Sequence, residues 1–322
     1  MFTFRFGLQA GRVNDPQAWT ELARRAEAEG YSAFMIPDHL GRLATFPALM
    51  AAAAVTRDIK LTTYVLNQDF RPPALLAVEA ASVQLLTGGR LELGVGAGWA
   101  QWEYVQAGLR YDPPAERVAR FDEYLQVVKD LLHAEDPFSF DGKWYTLRAF
   151  QPLPRAEHGP PPILVGGGSR NVLATAGRLA DIISISTRAT PDSRIDSRNL
   201  TLAQVEQKLA WIRAGAGARF PDIELNMTVR DVVITDDRRA AARQLLASWQ
   251  SGHTMMANAD ALTEDDILDS PHIAIGTVSQ IAEQFTTMRD KWGISYYEIS
   301  NSDMDSISPI VERLAHTPQS TR

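Results

Sequence analysis

The chain has 322 residues, 45% of them hydrophobic, and a formal net charge of −7; that length suits one large domain with a substantial core. It contains no cysteine, which excludes structural disulfides, thiolate metal sites and thiol nucleophiles. The acidic balance argues against a nucleic-acid or anionic-membrane surface, and no apolar run approaches the roughly 20 residues that cross a bilayer.

The opening MFTFRFGLQAG alternates around an internal arginine and lacks the profile of a signal peptide, so a soluble, cytoplasmic protein is expected. Phe2 to Ala10 predicts a first strand. Asp15 fits the N-cap and Pro16 the first turn of a helix with Trp19, Leu22, Ala23 and Ala26 on one stripe, ending near Gly30. Ser32 to Leu40, SAFMIPDHL, reads as a short buried strand ending in Asp38-His39. An alanine-rich helix follows over 46–57, a third strand over 60–66, and a third helix from Pro72-Pro73 to Leu86. Gly88-Gly89 turns the chain into a fourth strand over 90–95 that ends in Gly96-Ala97-Gly98-Trp99.

Four strand–helix units with short links imply right-handed crossovers and a parallel sheet. A helix over 114–134 and a hairpin over 138–147, turning at Asp141-Gly142, come next. Ile163 to Val165 predicts a fifth strand, Gly166-Gly167-Gly168-Ser169 a turn, and 170–179 a helix. A sixth strand is expected over 181–186, a polar mobile loop over 188–199, a helix over 201–214 and a seventh strand over 223–234. A helix over 237–250, an irregular segment to Ile275, a helix over 278–291, a last strand over 294–299 and a closing helix over 305–315 complete the pattern. The regular count predicts an α/β fold, a (β/α)₈ TIM barrel in one domain, with insertions near 136–160, 188–200 and 252–275; a doubly wound open sheet is the competitor.

Active sites of such barrels collect at the C-terminal ends of the strands. Four of those ends carry usable groups: Asp38-His39, Tyr64 through Asn67, Gly96 through Glu103, and Gly166 through Arg170. A carboxylate beside an imidazole can hold its tautomer and let it move a proton near neutral pH; alternatively Asp38 caps the next helix. The Gly166-Gly167-Gly168-Ser169-Arg170 turn opens a helix, where backbone N–H groups and the dipole favour an anion. A turn that is glycine-rich only for close packing is the other reading. Trp99 and Trp102 are pocket walls or core aromatics, and Glu103 a site acid or a helix-start carboxylate. His253, His272 and His316 lack metal-ligand spacing and are expected at the surface, as is the helix end at His133 and Glu135. No metal site is predicted, and G-x-S-x-G is absent. A proton-transfer pair, aromatic walls and an anion cradle suit a redox cofactor with a phosphate tail better than hydrolysis.

Four stretches together resemble the luciferase-like monooxygenase superfamily, and more closely its branch that uses the deazaflavin coenzyme F420: SAFMIPDHL, YVLNQDFRPPALLAVEAASVQLLTGGRLELGVGAGWAQWEY, PPILVGGGSRNVLATAGRLADIISIS and IGTVSQIAEQFTTMRDKWGISYYEIS. The resemblance implies a bacterial luciferase-like barrel and a non-prolyl cis peptide that forms a bulge behind the cofactor ring. That bond is expected at Tyr64-Val65, with Val65-Leu66 as the next choice. It further implies cofactor contacts at Asp38, Tyr64, Val65, Leu66, Asn67, Gly96, Ala97 and Gly98, and phosphate contacts at Gly166, Gly167, Gly168, Ser169 and Arg170. His39 is the implied acid/base with Asp38 as its orienter, Glu103 a further candidate, and Trp99 and Trp102 line the substrate pocket. Sugar-phosphate dehydrogenases of this branch carry a glutamate where Trp99 stands and a tryptophan where Gly41-Arg42-Leu43 lie, which argues against glucose 6-phosphate. The implied activity is F420-dependent hydride transfer to or from a small molecule. The alternatives are a two-component monooxygenase fed FMNH₂ by a flavin reductase and a non-catalytic flavin-binding protein. A flavin or F420 reductase is an implied partner, as is a second copy in a homodimer, packed through the helices over 72–86 and 114–134.

Overall fold

The structure, a computed structural model, describes residues 2–13 and 15–315; His316 lies outside them. Eight parallel strands close on themselves: β1 (Arg5–Gln9), β2 (Ala33–Ile36), β3 (Lys60–Thr63, resuming at Leu66–Asn67), β4 (Leu91–Gly96), β5 (Ile163–Gly167), β6 (Ile182–Ile185), β7 (Glu224–Thr228) and β8 (Ile294–Ser300). Each pairs with the next, and β8 returns to β1 with Arg5 opposite Tyr296. The fold is therefore the expected TIM barrel, and the open-sheet alternative is excluded.

The helices are α1 (Pro16–Ala28), α2 (Thr45–Ala53), α3 (Pro73–Leu86), α4 (Gln101–Ala107), α5 (Pro114–His133), α6 (Arg170–Leu179), α7 (Leu202–Ala216), α8 (Arg238–Gln250), α9 (Glu264–Leu268), α10 (Val278–Trp292) and α11 (Met304–Ala315). Asp15 caps α1 by accepting from the Ala18 N–H at 2.7 Å, and Pro16 fills the first turn. Alternation along the strands sorts the core into two layers. Phe6, Leu8, Leu93, Val95, Ile183 and Ile299 face the helices. Ala33, Met35, Leu164, Ile182 and Tyr296 face the barrel axis.

The internal arginine of β1 closes the N-terminal end. Arg5 donates to Glu92 and, at 2.6 Å, to Oε2 of Glu224, and its guanidinium lies 4.1 Å from the Tyr296 ring centroid. Thr62 and Tyr296 donate to the other Glu92 oxygen at 2.9 and 3.1 Å. Charge pairing and hydrogen bonds together make this buried cluster tolerable. The barrel is thus plugged below, and its open end is the C-terminal one.

Two sequence expectations change. The strand expected over 223–234 breaks after Thr228. Asp231–Ile234 leaves the barrel wall and pairs in parallel with Ile273–Gly276, inside the segment expected to be irregular. The loop expected to be mobile over 188–199 is tied down. Ile195–Asp196 pairs with Met256–Ala257, and Leu200 joins Trp249, Met256, Leu262 and Ile267 in a second apolar cluster. Polar composition hid this because the pairing partner lies some 60 residues away in sequence. The hairpin forms as Phe138–Asp141 with Thr146–Phe150.

Candidate active site

β3 is interrupted by a cis peptide at Tyr64-Val65, the first of the two bonds anticipated. The bulge turns the Val65 side chain toward β4 and β5. A Cβ at Gly96 would sit 2.8 Å from Val65 Cγ2, and one at Gly166 would sit 3.2 Å from Cγ1. At Gly94 a Cβ would collide with the Thr63 carbonyl. Three strand glycines therefore leave room for one bulge. The Tyr64 hydroxyl points into the barrel, donating to Asn226 Oδ1 at 2.9 Å and lying 2.6 and 3.1 Å from the Ser184 and Thr228 hydroxyls. Burial pushes its pKa up.

His39 follows β2 at the open end. Its Nδ1 meets Glu103 Oε1 at 2.9 Å, and the same oxygen accepts the Leu40 N–H at 2.9 Å. Glu103 is buried in the first turn of α4, so its carboxylate is fixed. With Nδ1 donating to Glu103, Nε2 is left to exchange a proton. Asp38 does not orient His39, as had been expected. Its Oδ2 accepts from the Asn67 N–H at 3.1 Å and Arg71 Nη1 at 2.8 Å, and its Oδ1 accepts from Thr45 at 3.1 Å. Adjacent residues after a strand point apart, so Asp38 pins the bulge strand while Glu103 holds the imidazole. A carboxylate thus reaches His39 from position 103, although Trp99 stands where the resembling dehydrogenases carry one.

The Trp99 ring meets His39 edge-on, with centroids 5.9 Å apart at 88°. Trp99 and Trp102 are 38% and 41% exposed, which rules out the core reading for both. Among the described residues, only Trp99 makes an aromatic ring contact with His39. The Leu66 side chain packs into the outer core, away from the open end. The Asn67 side chain accepts from Asp69 N–H and from the Tyr104 hydroxyl, which leaves no space for a Cβ at Gly98. Ala97 is half-buried, its carbonyl 3.3 Å from Gln68 Nε2. In the β5 turn a Cβ at Gly167 would lie 2.5 Å from Val172, and one at Gly168 2.6 Å from the Ser186 carbonyl. Packing thus accounts for these glycines. The Ser169 side chain makes no cap, and Arg170 is exposed, so the start of α6 stays open to an anion.

The insertion over 188–200 reaches this site. Ser193 Oγ accepts the Gln101 N–H at 3.0 Å and donates to the Trp99 carbonyl at 3.3 Å. Sequence reasoning passed over the polar barrel interior. Glu298 on β8 is buried beside Arg230 and Thr228, and burial pushes its carboxyl up to about 7. Its position two residues after Tyr296 was the available signal, since alternation points both inward. His272, expected at the surface, is fully buried. Its Nδ1 lies 2.9 Å from the Thr228 carbonyl, and desolvation pushes its pKa down to about 3. Asn226 Nδ2 and Glu298 Oε2 are buried without protein partners. An open main-chain platform, a free imidazole nitrogen and an unsatisfied donor and acceptor below fit a flat ring with polar edges.

A closed (β/α)₈ barrel with an imidazole–carboxylate pair at its open end has the layout of a barrel enzyme. The family model for luciferase-like monooxygenases matches residues 1–295, and the chain belongs to that family. It is 29% identical over 246 residues to an F420-dependent glucose-6-phosphate dehydrogenase of Nakamurella multipartita, covering 73% of this chain and 70% of that protein. It is 29% identical over 198 residues to an FMNH₂-dependent dimethylsulfone monooxygenase of Pseudomonas putida, covering 61% and 50%. In fold it is similar to an F420-dependent secondary alcohol dehydrogenase solved with an F420-acetone adduct, with a TM-score of 0.73 at 18% identity over 98% of this chain and 100% of that one. The chain spans 65% of the length of the first curated relatives it matches and 52% of the next.

Proposed function

We propose that this oxidoreductase binds coenzyme F420 and transfers hydride between the deazaflavin and a small organic substrate. The observation that carries the reading is the His39–Glu103 pair at 2.9 Å beside the Tyr64-Val65 bulge. The main chain at Tyr64, Val65 and Asn67 would back the ring, held by Asp38 through Asn67 and Arg71. Gly96, Ala97 and Gly98 would flank it, and Gly166 to Arg170 would receive the phosphate at the start of α6. Bound F420 supplies a carbon that accepts or gives hydride without readily activating O₂. His39 Nε2 takes the hydroxyl proton when an alcohol loses hydride, and gives a proton to the carbonyl oxygen when the carbon gains hydride. Glu103 keeps the imidazole in the required tautomer and stabilises it when protonated. Trp99 walls the substrate against His39, with Trp102 further out.

The Pseudomonas putida relative supports a second reading, in which a flavin reductase supplies FMNH₂ and O₂ is consumed. Oxidation of reduced F420 with a panel of carbonyl compounds, run beside O₂ uptake with FMNH₂, separates the two. Turnover with F420 and no O₂ uptake is expected; O₂ consumption with FMNH₂ and inertness toward F420 would reverse the choice.

A homodimer belongs to this reading, through α3 alone. Leu75, Val78, Leu85 and Leu86 form an exposed apolar stripe on α3. Phe121, Leu125, Val128 and Leu131 of α5 are already buried within the chain. No helix among the described residues is long and apolar enough to cross a membrane.

A further inference from the structure

Two exposed arginines stand beside the candidate site without an ion pair among the described residues. Arg12 follows β1 and Arg42 follows β2, three residues after His39. Both line one small crevice with Gly11, Pro37 and Leu43. Neither has a carboxylate within ion-pair distance among the described residues, although the chain has 39 acids against 32 lysines and arginines. Nearby arginines are committed: Arg71 to Asp38, and Arg120 to Asp69 and Asp112. Partial burial presses the pKa of Arg42 down, and so does the charge of Arg12; Glu103 pulls the other way. Both arginines are exposed, so solvent screens their mutual repulsion, and an anion held between them would offset what remains. A guanidinium fork matches the oxygens of a carboxylate or phosphate.

We infer that Arg12 and Arg42 form the anion-recognition pair of the substrate pocket, so that the substrate carries a carboxylate, phosphate or sulfonate whose reacting carbon faces His39. This rests on the functional reading above. The phosphate of the cofactor is the other source of such an oxyanion, but its expected place at the β5 turn lies across the barrel, four strands from β1. Arg42 ties this crevice to the His39–Glu103 pair: its backbone N–H donates to the His39 carbonyl at 3.2 Å, and the Glu103 carboxylate acts on its charge. Substrate recognition and proton transfer thus share the loops after β1 and β2.

The test titrates the apoprotein with inorganic phosphate by calorimetry at constant ionic strength. It compares wild type, Arg12→Gln, Arg42→Gln, the double variant and the exposed hairpin control Arg148→Gln. F420 binding is measured on the same samples. Each site variant should weaken phosphate binding by roughly tenfold or more, with the control and F420 affinity unchanged. Equal phosphate binding by wild type and the double variant, or none by wild type, overturns the proposal. Joint loss of phosphate and F420 affinity overturns it too, because the anion held would be the cofactor's. Failure of wild type to bind F420 would instead sink the cofactor assignment, while the phosphate titration still decides the arginine pair.

Discussion

Glu103 Oε1 accepts hydrogen bonds from His39 Nδ1 and from the Leu40 N–H, each at 2.9 Å, and so joins the end of β2 to the helix after β4. His39→Ala should abolish turnover while cofactor affinity stays within a few-fold. Glu103→Ala should lower kcat by roughly 100-fold, the lower end of what a positioned acid–base group contributes. Glu103→Gln should cost less, since its amide oxygen still accepts both bonds. Steady-state kinetics with a parallel cofactor titration checks this; unchanged turnover in His39→Ala removes the imidazole from the mechanism.

The fit between Val65 and Gly96 predicts a coupled pair. A methyl at position 96 would lie 2.8 Å from Val65 Cγ2, on a short branched side chain with little freedom to move away. Gly96→Ala should destabilise the fold by about 1–3 kcal/mol and weaken cofactor binding. Val65→Ala should restore most of both in the double variant. Urea unfolding of the four proteins of the cycle measures the coupling, and strict additivity would contradict the contact.

Glu298 predicts a pH-dependent stability. Burial pushes its carboxyl up to about 7 from 4.5, against the pull of Arg230 and Thr228. The native state keeps a proton that the unfolded chain loses, so the stabilisation is full below about pH 4.5 and drains as pH rises through 7. Glu298→Gln keeps a neutral side chain at every pH. Its stability relative to wild type should therefore rise between about pH 5 and pH 8, by on the order of 2–3 kcal/mol at most, and then level off. Asp231, pushed up to about 6 by burial, titrates in both proteins and cancels in the difference. Denaturant midpoints across that range test it; a flat difference would mean that Glu298 is ionised throughout.

The stripe on α3 predicts that Leu75→Glu with Leu86→Glu yields monomers, because both side chains are exposed at 58% and 72% and support no internal packing. Sedimentation velocity of wild type and variant reads this directly. A wild type that is already monomeric at micromolar concentration would remove the dimer from the account.

The barrel was legible in the sequence because its signals are local. Strand alternation, the Asp15-Pro16 helix start and the glycine turns each act within a few residues. The His39 strand end was legible for the same reason. Its partner was harder to assign, because Asp38 is adjacent in sequence while Glu103 is 64 residues away and lies on a helix whose start a periodicity argument cannot aim. The two insertions misled in the same manner. Ile195–Asp196 looks polar and irregular until Met256–Ala257 pairs with it. The polar interior around Glu298, Asn226 and Tyr64 comes from three strands, and only the closed register brings them together.

The central claim is the cofactor, and fluorescence titration of the apoprotein with F420 and, separately, with FMN tests it most directly, since Trp99 on His39 is a built-in reporter. The account predicts tryptophan quenching with micromolar or tighter F420 affinity and markedly weaker FMN binding. Tight FMN binding with no response to F420 would contradict it and move the protein to the FMNH₂- and O₂-dependent side of its family.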